Sequence, residues 1–193
     1  MRYLILFLML SFTSSYSYST ENKMSDTHPK VKFQTTAGDF IIELDAEKAP
    51  ITVKNFLTYV EEGFYAGTVF HRIIPGFMAQ GGGFDTDFKQ KTTHATIKIE
   101  ADNGLKNDRG TVAMARTGVP DSASSQFFIN YKDNDFLNHS SPTPSGWGYA
   151  VFGKVTEGLK VLDEMANAPT GNRDGHQDVP KTDIIIEKAE IIK

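Results

Sequence analysis

The chain has 193 residues, 39% of them hydrophobic and 23% charged, with a formal net charge of −4 and no cysteine. There is enough apolar material for a core, which argues against disorder and for one domain with short appendages. A disulfide framework, a thiolate metal site and a cysteine nucleophile are excluded; no basic footprint points to nucleic acid, and a lipid anchor has no cysteine to carry it.

The opening stretch MRYLILFLMLSFTSSYSYS (residues 1–19) has one cation, Arg2, then an apolar run from Leu4 to Phe12 and a Ser-rich end. The run is too short to span a bilayer as a permanent helix. Ser17 and Ser19 have the small-residue spacing of a signal cleavage site, so residues 1–19 read as a secretory signal cut after Ser19. The competing reading is a cytosolic chain that starts at Met24. Residues 20–30 are polar and patternless and read as a flexible lead-in to a domain over 31–193.

From Val31 the pattern becomes structured. VKFQTT and DFIIEL flank Ala37-Gly38, a two-residue hairpin signal. DAEKAPITVKNFLTYVEEGFY follows as a helix, with Pro50 in its first turn. Val53, Phe56, Leu57 and Val60 share one face of it, and Gly63 ends it. Short strand-like runs cover 69–74, 78–80, 95–99, 111–115, 126–130 and 149–155, separated by loops rich in Gly, Asn, Asp and Pro. EGLKVLDEMANAP predicts a second helix with Leu159, Leu162 and Met165 as its apolar stripe, and 183–192 closes the chain as a strand. Many short strands with two helices predict a mainly β barrel or sandwich. The helices are too far apart in sequence to be crossovers, and capping the open ends of a barrel is their natural use.

Four local patterns carry chemistry: FHRIIPGFMAQGGG (70–83), GTVAMARTGVPDSASSQFFIN (110–130), DFLN (135–138) and WGYAVFGKV (147–155). Together they resemble the cyclophilin family of peptidyl-prolyl cis/trans isomerases, and the bacterial secreted branch of it, over nearly all of 31–193. The resemblance implies a closed eight-stranded antiparallel β-barrel capped by two α-helices, with a shallow groove on the barrel's outer face. It implies Arg72 as the catalytic group, with Gln80 orienting it and touching the peptide. Phe77, Met78, Phe128, Leu137 and Tyr149 would hold the substrate proline ring. Ala115, Arg116 and Thr117 would border the bound peptide, Arg116 through main-chain contacts. Gln126 would line the neighbouring subsite, and Phe136 would stand as an outer apolar wall.

This residue set suits rotation about an X-Pro bond. Amide resonance sets a barrier of about 18–20 kcal/mol, and uncatalysed isomerisation takes tens to hundreds of seconds. No bond is broken, so neither a nucleophile, a base, a metal nor a cofactor is needed. A fixed cationic donor can bond the nitrogen lone pair that appears only when the amide twists, which is selective binding of the transition state. Arginine stays protonated and presents a rigid fork of donors, and apolar walls strengthen the bond by excluding water.

Other residues read as structural. The five histidines, His28, His71, His94, His139 and His176, show no metal-ligand spacing; His71 reads as a structural residue satisfied by backbone. Gly81 to Gly83 lack the phosphate-loop frame and read as a place where backbone approaches closely. Ser124-Ser125 lack a nucleophile elbow, and NHS at 138–140 matches a glycosylation sequon as many chains do by chance. The chain also departs from the eukaryotic pattern of the family. Phe136 stands for a Trp, Tyr149 for a His, Arg116 for a common Asn, and the loop 139–148 is longer. Phe136 has no indole N–H, so weak cyclosporin binding is expected. The expected partners are unfolded or extracytoplasmic proline-containing polypeptides, met by a periplasmic or secreted monomer with no membrane contact after signal cleavage. The rival readings are a proline-peptide-binding chaperone or scaffold with incidental isomerase activity, and a barrel carrier with a hollow interior.

Overall fold

The computed structural model describes residues 27–193. The signal read over 1–19, its cleavage point and the start of the lead-in lie outside the described residues. The last residues of that lead-in are already engaged: the Thr27 and Pro29 carbonyls accept from the Ala46 and Leu44 N–H groups, and Lys30 opens the first strand.

β1 (Lys30–Thr35) and β2 (Gly38–Leu44) form the expected hairpin. Thr35 pairs with Gly38, so the turn residues are Thr36 and Ala37, one position earlier than Ala37-Gly38. The cause is the Thr35 hydroxyl, which donates to the Gly38 carbonyl and accepts from the Ala37 N–H and so closes a side-chain turn there. α1 (Pro50–Glu61) begins with Pro50 in its first turn and buries Val53, Phe56 and Val60, together with Thr52 and Tyr59. Leu57 is only partly buried against the same core. The Glu100 carboxylate, from a distant loop, accepts from the Ile51 and Thr52 N–H groups and the Thr52 hydroxyl, occupying donors that a helix start leaves open.

The remaining strands are β3 (Thr68–Val69), β4 (Arg72–Ile74), β5 (Met78–Gly81), β6 (Thr111–Met114), β7 (Phe127–Asn130), β8 (Val151–Glu157), β9 (Thr170–Arg173), β10 (His176–Pro180) and β11 (Ile185–Ile192), with α2 (Leu159–Ala166) after β8. Nine of them make one antiparallel sheet in the order β3-β11-β1-β2-β8-β6-β7-β5-β4. Its two outer strands, β3 and β4, are separated in sequence only by Phe70 and His71. Counted as one interrupted strand over 68–74, they close the sheet into an eight-stranded barrel, the fold expected. Closure removes the free edges of this sheet.

Two expectations change. The run 95–99 is not a strand: only Ile97 bridges, to Ala123, while the Ile99 N–H turns to the Asp121 carboxylate. Side-chain alternation was present, but no ladder partner was available. Conversely β9 and β10 form a hairpin that has no apolar alternation to announce it. Its turn, Asp174-Gly175, has positive φ at both residues (50° and 82°) and is the sequence signal that could have found it. In α2, Leu162 and Met165 are buried, whereas Leu159 is 37% exposed at the first helical position.

The barrel interior is a cluster of rings. Phe33 stacks on Phe40 at 5.2 Å, Phe56 meets Phe152 at 4.9 Å, and Phe127 presents edges to Phe56, Tyr65 and Phe70 at 5.6–6.0 Å. A carrier needs a hollow barrel, and this interior is filled by side chains.

Candidate active site

Strands β4, β5, β7, β6 and β8 lie side by side, and alternate residues face opposite ways. Ala79, Phe127, Ile129, Val112 and Met114 join the interior. Met78, Phe128, Ala113 and Val151 form a second apolar cluster with Leu137 on the other face, and Phe77 and Tyr149 pack against it. This second cluster floors a groove of about 170 Å³, well below the ~300–1,000 Å³ of a drug-sized pocket. Arg72, Phe77, Met78, Gln80, Ala115, Arg116, Phe128, Leu137 and Tyr149 line it. Nine of the twelve residues singled out in the sequence therefore meet in one place.

The walls come from loops fixed by buried amides. A short 3-10 turn (Asp135–Leu137) buries Leu137 at the groove and leaves Phe136 72% exposed, stacked on Phe77 at 5.6 Å. The Asn134 amide donates to the Phe77 carbonyl and to the Asn130 side chain; Asn130 donates to Asn107, and Asn107 to the Leu137 carbonyl. This asparagine chain, which the sequence reading missed, ties both walls to β7. Phe128 meets Tyr149 edge-on at 5.4 Å.

Arg72 stands at the rim, directly across the ladder from Gln80. Gln80 does not hold it: its amide donates to Gln126 at 2.9 Å. The charged partner is Asp178 of β10, whose carboxylate lies 3.7 Å from the Arg72 Nε, both side chains about two-fifths exposed. At that distance the contact is an attraction between charges rather than a hydrogen bond, and the neutral Gln80 amide offers no such charge. The Gln126 side chain packs closely on Gly83, where an added Cβ would stand 2.5 Å from its Cγ. At Gly82 (φ +79) it would meet Phe127 and Tyr65 at 2.9 Å, so the glycine run is a site of close approach.

Arg116 uses its side chain as well as its place on the groove. Its guanidinium donates to the Gly148, Thr117 and Pro144 carbonyls and lies 4.8 Å over the Tyr149 ring, bracing the loop that carries Tyr149. Thr117 does not line the groove; its hydroxyl donates to Ser122 in the adjoining turn.

His71 is buried, 4% exposed, and bonds the Val69 main chain as a structural residue, while its Nδ1 has no hydrogen-bond partner among the described residues. Burial first, then the neighbouring His176 and Arg72, push its pKa down to about 4, against the weaker pull of the Val69 main chain. Ser125 is buried with its hydroxyl on the Gly82 carbonyl, not placed as a nucleophile. A second cavity of about 260 Å³ opens on the β2–β8–β6 side. Of its charged lining, Glu43 is paired with Lys30 and Lys154, and no Phe, Tyr or Trp is among its lining residues.

A one-ring apolar groove with a guanidinium at its rim suits a protein that handles the proline of a peptide chain. Comparison with known proteins agrees. Residues 30–191 match the family described as cyclophilin type peptidyl-prolyl cis-trans isomerase/CLD. The peptidyl-prolyl cis-trans isomerase cyp18 of Streptomyces antibioticus is 59% identical over 162 residues, 84% of this chain and 98% of that protein. The peptidyl-prolyl cis-trans isomerase B of Escherichia coli is 56% identical over 161 residues, 83% and 98% of the two chains. A Cryptosporidium parvum cyclophilin solved in the presence of the dipeptide Ala-Pro superposes with a TM-score of 0.68 at 32% identity, covering 85% of this chain and 99% of that one. The chain belongs to the cyclophilin family and is a peptidyl-prolyl cis-trans isomerase.

Proposed function

We propose that Arg72 catalyses X-Pro rotation by donating to the amide nitrogen as it pyramidalises, while the proline ring sits among Phe77, Met78, Phe128, Leu137 and Tyr149. The observation that carries this reading is a guanidinium at the rim of an apolar groove, with Gln80 and Gln126 beside it and no nucleophilic side chain poised there. In the planar ground state the nitrogen lone pair is delocalised and accepts nothing; in the twisted state it accepts, so the bond forms only where it lowers the barrier. The apolar floor keeps water from competing for the donor. Gln80 and Gln126, bonded to each other, offer a second polar edge for the peptide main chain, and Arg116 keeps Tyr149 over the ring site.

The signal-like residues 1–19 support secretion or a periplasmic location, with cleavage after Ser19 and a mature domain over 31–193. The clients are unfolded or extracytoplasmic proline-containing polypeptides, and the enzyme assists their folding as a monomer, free of the membrane and without a cofactor. Phe136 is exposed and has no N–H to donate, so cyclosporin binds weakly.

The test is a protease-coupled or NMR exchange assay on an X-Pro peptide with wild type and Arg72→Ala. Loss of rate with peptide affinity kept supports Arg72 as the transition-state donor. Equal rates overturn that role. Peptide binding without isomerisation by the wild type favours a binding scaffold instead.

A further inference from the structure

We infer that Asp178 is the positioning residue that aims Arg72 at the groove. This rests on the reading of Arg72 as the transition-state donor. A half-exposed arginine has a long, freely rotating stem, yet stabilising a transient lone pair requires a donor already in place. Gln80, opposite Arg72, is committed to Gln126. Among the described residues the one carboxylate in ion-pair range of Arg72 is that of Asp178. It approaches Nε, the nitrogen nearest the stem, and the two terminal nitrogens have no hydrogen bond among the described residues. The contact therefore restrains the stem and leaves the outer fork for the peptide.

The platform under Asp178 is built for fixity. Its hairpin lies against β4, the strand of Arg72. Val179, the next residue, is buried with Val69 and Phe88. Arg173, across the hairpin, pairs with Asp183 at 2.8 Å, donates to the Thr86 carbonyl at 2.8 Å and lies 4.1 Å over the Phe88 ring. Between His176 and Val179 the β9–β10 register shifts, and Asp178 itself takes a φ of +60°. Bulges and left-handed residues carry a local cost and recur where a side chain must be re-aimed. Here the side chain re-aimed is the carboxylate beside Arg72. At 3.7 Å the contact is longer than a hydrogen bond, and exposed pairs of this kind add little stability. Its effect is expected in the rate.

Asp178→Asn tests this, because asparagine accepts the left-handed backbone and removes only the charge. kcat and KM would be measured by NMR exchange on an X-Pro peptide, beside thermal unfolding, for Asp178→Asn, Arg72→Lys, the double variant and Arg72→Ala. Asp174→Asn, which changes a carboxylate at the tip of the same hairpin, is the control. We expect Asp178→Asn to lower kcat about tenfold with KM within twofold and an unchanged unfolding midpoint. In the Arg72→Lys background, which lacks the Nε–H, Asp178→Asn should cost nothing more. The Arg72 Nε–H signal should be sharp in the wild type and exchange-broadened in Asp178→Asn, and Asp174→Asn should match the wild type. A kcat within twofold for Asp178→Asn, or an undiminished loss in the Arg72→Lys background, overturns the inference. If Arg72→Ala is as active as the wild type, the donor reading itself falls and the positioning role falls with it; full loss in Arg72→Ala beside normal Asp178→Asn rejects the positioning role alone.

Discussion

Phe127 and Phe128 are neighbours of the same type on the same strand, 0% and 5% exposed, and they belong to different parts of the molecule. Phe127 points into the barrel and touches the rings of Phe33, Phe56, Tyr65 and Phe70. Phe128 points the other way, meets one ring, Tyr149, and floors the groove. The same division runs through Ala79 and Met78, and through Phe152 and Val151. The inner face is purely apolar where these strands meet. The outer face borders two guanidiniums, those of Arg72 and Arg116. Burial therefore does not separate core from site here; the direction of the side chain does.

Substitutions on the two faces should fail in different ways. The largest effect is expected from Phe127→Ala, which opens a cavity among four rings and should cost about 3–5 kcal/mol of folding stability, read by chemical denaturation. The protein that remains folded should keep its kcat. Arg72→Ala reverses the pattern: kcat falls about 100-fold or more, as when one preorganised donor is removed, while the unfolding midpoint stays within a degree or two of the wild type, roughly the shift of a weak exposed pair.

His71 lies where the barrel strand is interrupted, packed against Phe84 and His176. Its folded-state pKa of about 4 is below the ordinary 6.5, so between those values the unfolded chain binds the extra proton. Stability then rises with pH from about 4 to 6.5 and is fully present above that window, with up to about 3 kcal/mol gained across it. His71→Gln should flatten that part of the stability–pH curve, and an equal slope in both proteins would contradict it. Smaller effects belong to the groove floor and its outer wall. Phe128→Ala should raise KM for an X-Pro peptide about tenfold, with about 1–2 kcal/mol less stability than the wild type, because Phe128 meets one ring where Phe127 meets four. Phe136→Ala, at 72% exposure, should change stability by less than about 0.5 kcal/mol and raise KM about twofold. A Phe128→Ala protein as unstable as Phe127→Ala would erase the distinction between the faces.

Most of the frame was legible in the chain. Pro50 and the Val53–Phe56–Val60 spacing announced α1, Ala37-Gly38 announced the first hairpin to within one residue, and the strand-like run 69–74 falls on β3 and β4. Nine of the twelve motif residues line one groove, and Thr117, Gln126 and Phe136 lie outside its lining. What stayed hidden was the partner of Arg72. Asp178 lies 106 positions away in sequence from Arg72, on a polar hairpin whose only signal is Asp174-Gly175. The interlocked amides of Asn107, Asn130 and Asn134 were equally silent, because a buried asparagine chain has no period.

The sequence by itself determined the two helices, most of the barrel strands and the ring-rich core, because hydrophobic periodicity and turn chemistry are local properties; the groove residues came from the family resemblance of four motifs. Only the tertiary structure decided which phenylalanine faces inward, that Gln80 serves Gln126, and that a carboxylate from the far hairpin reaches Arg72. Those outcomes depend on barrel closure and on distances between residues far apart in the chain, which no local pattern encodes.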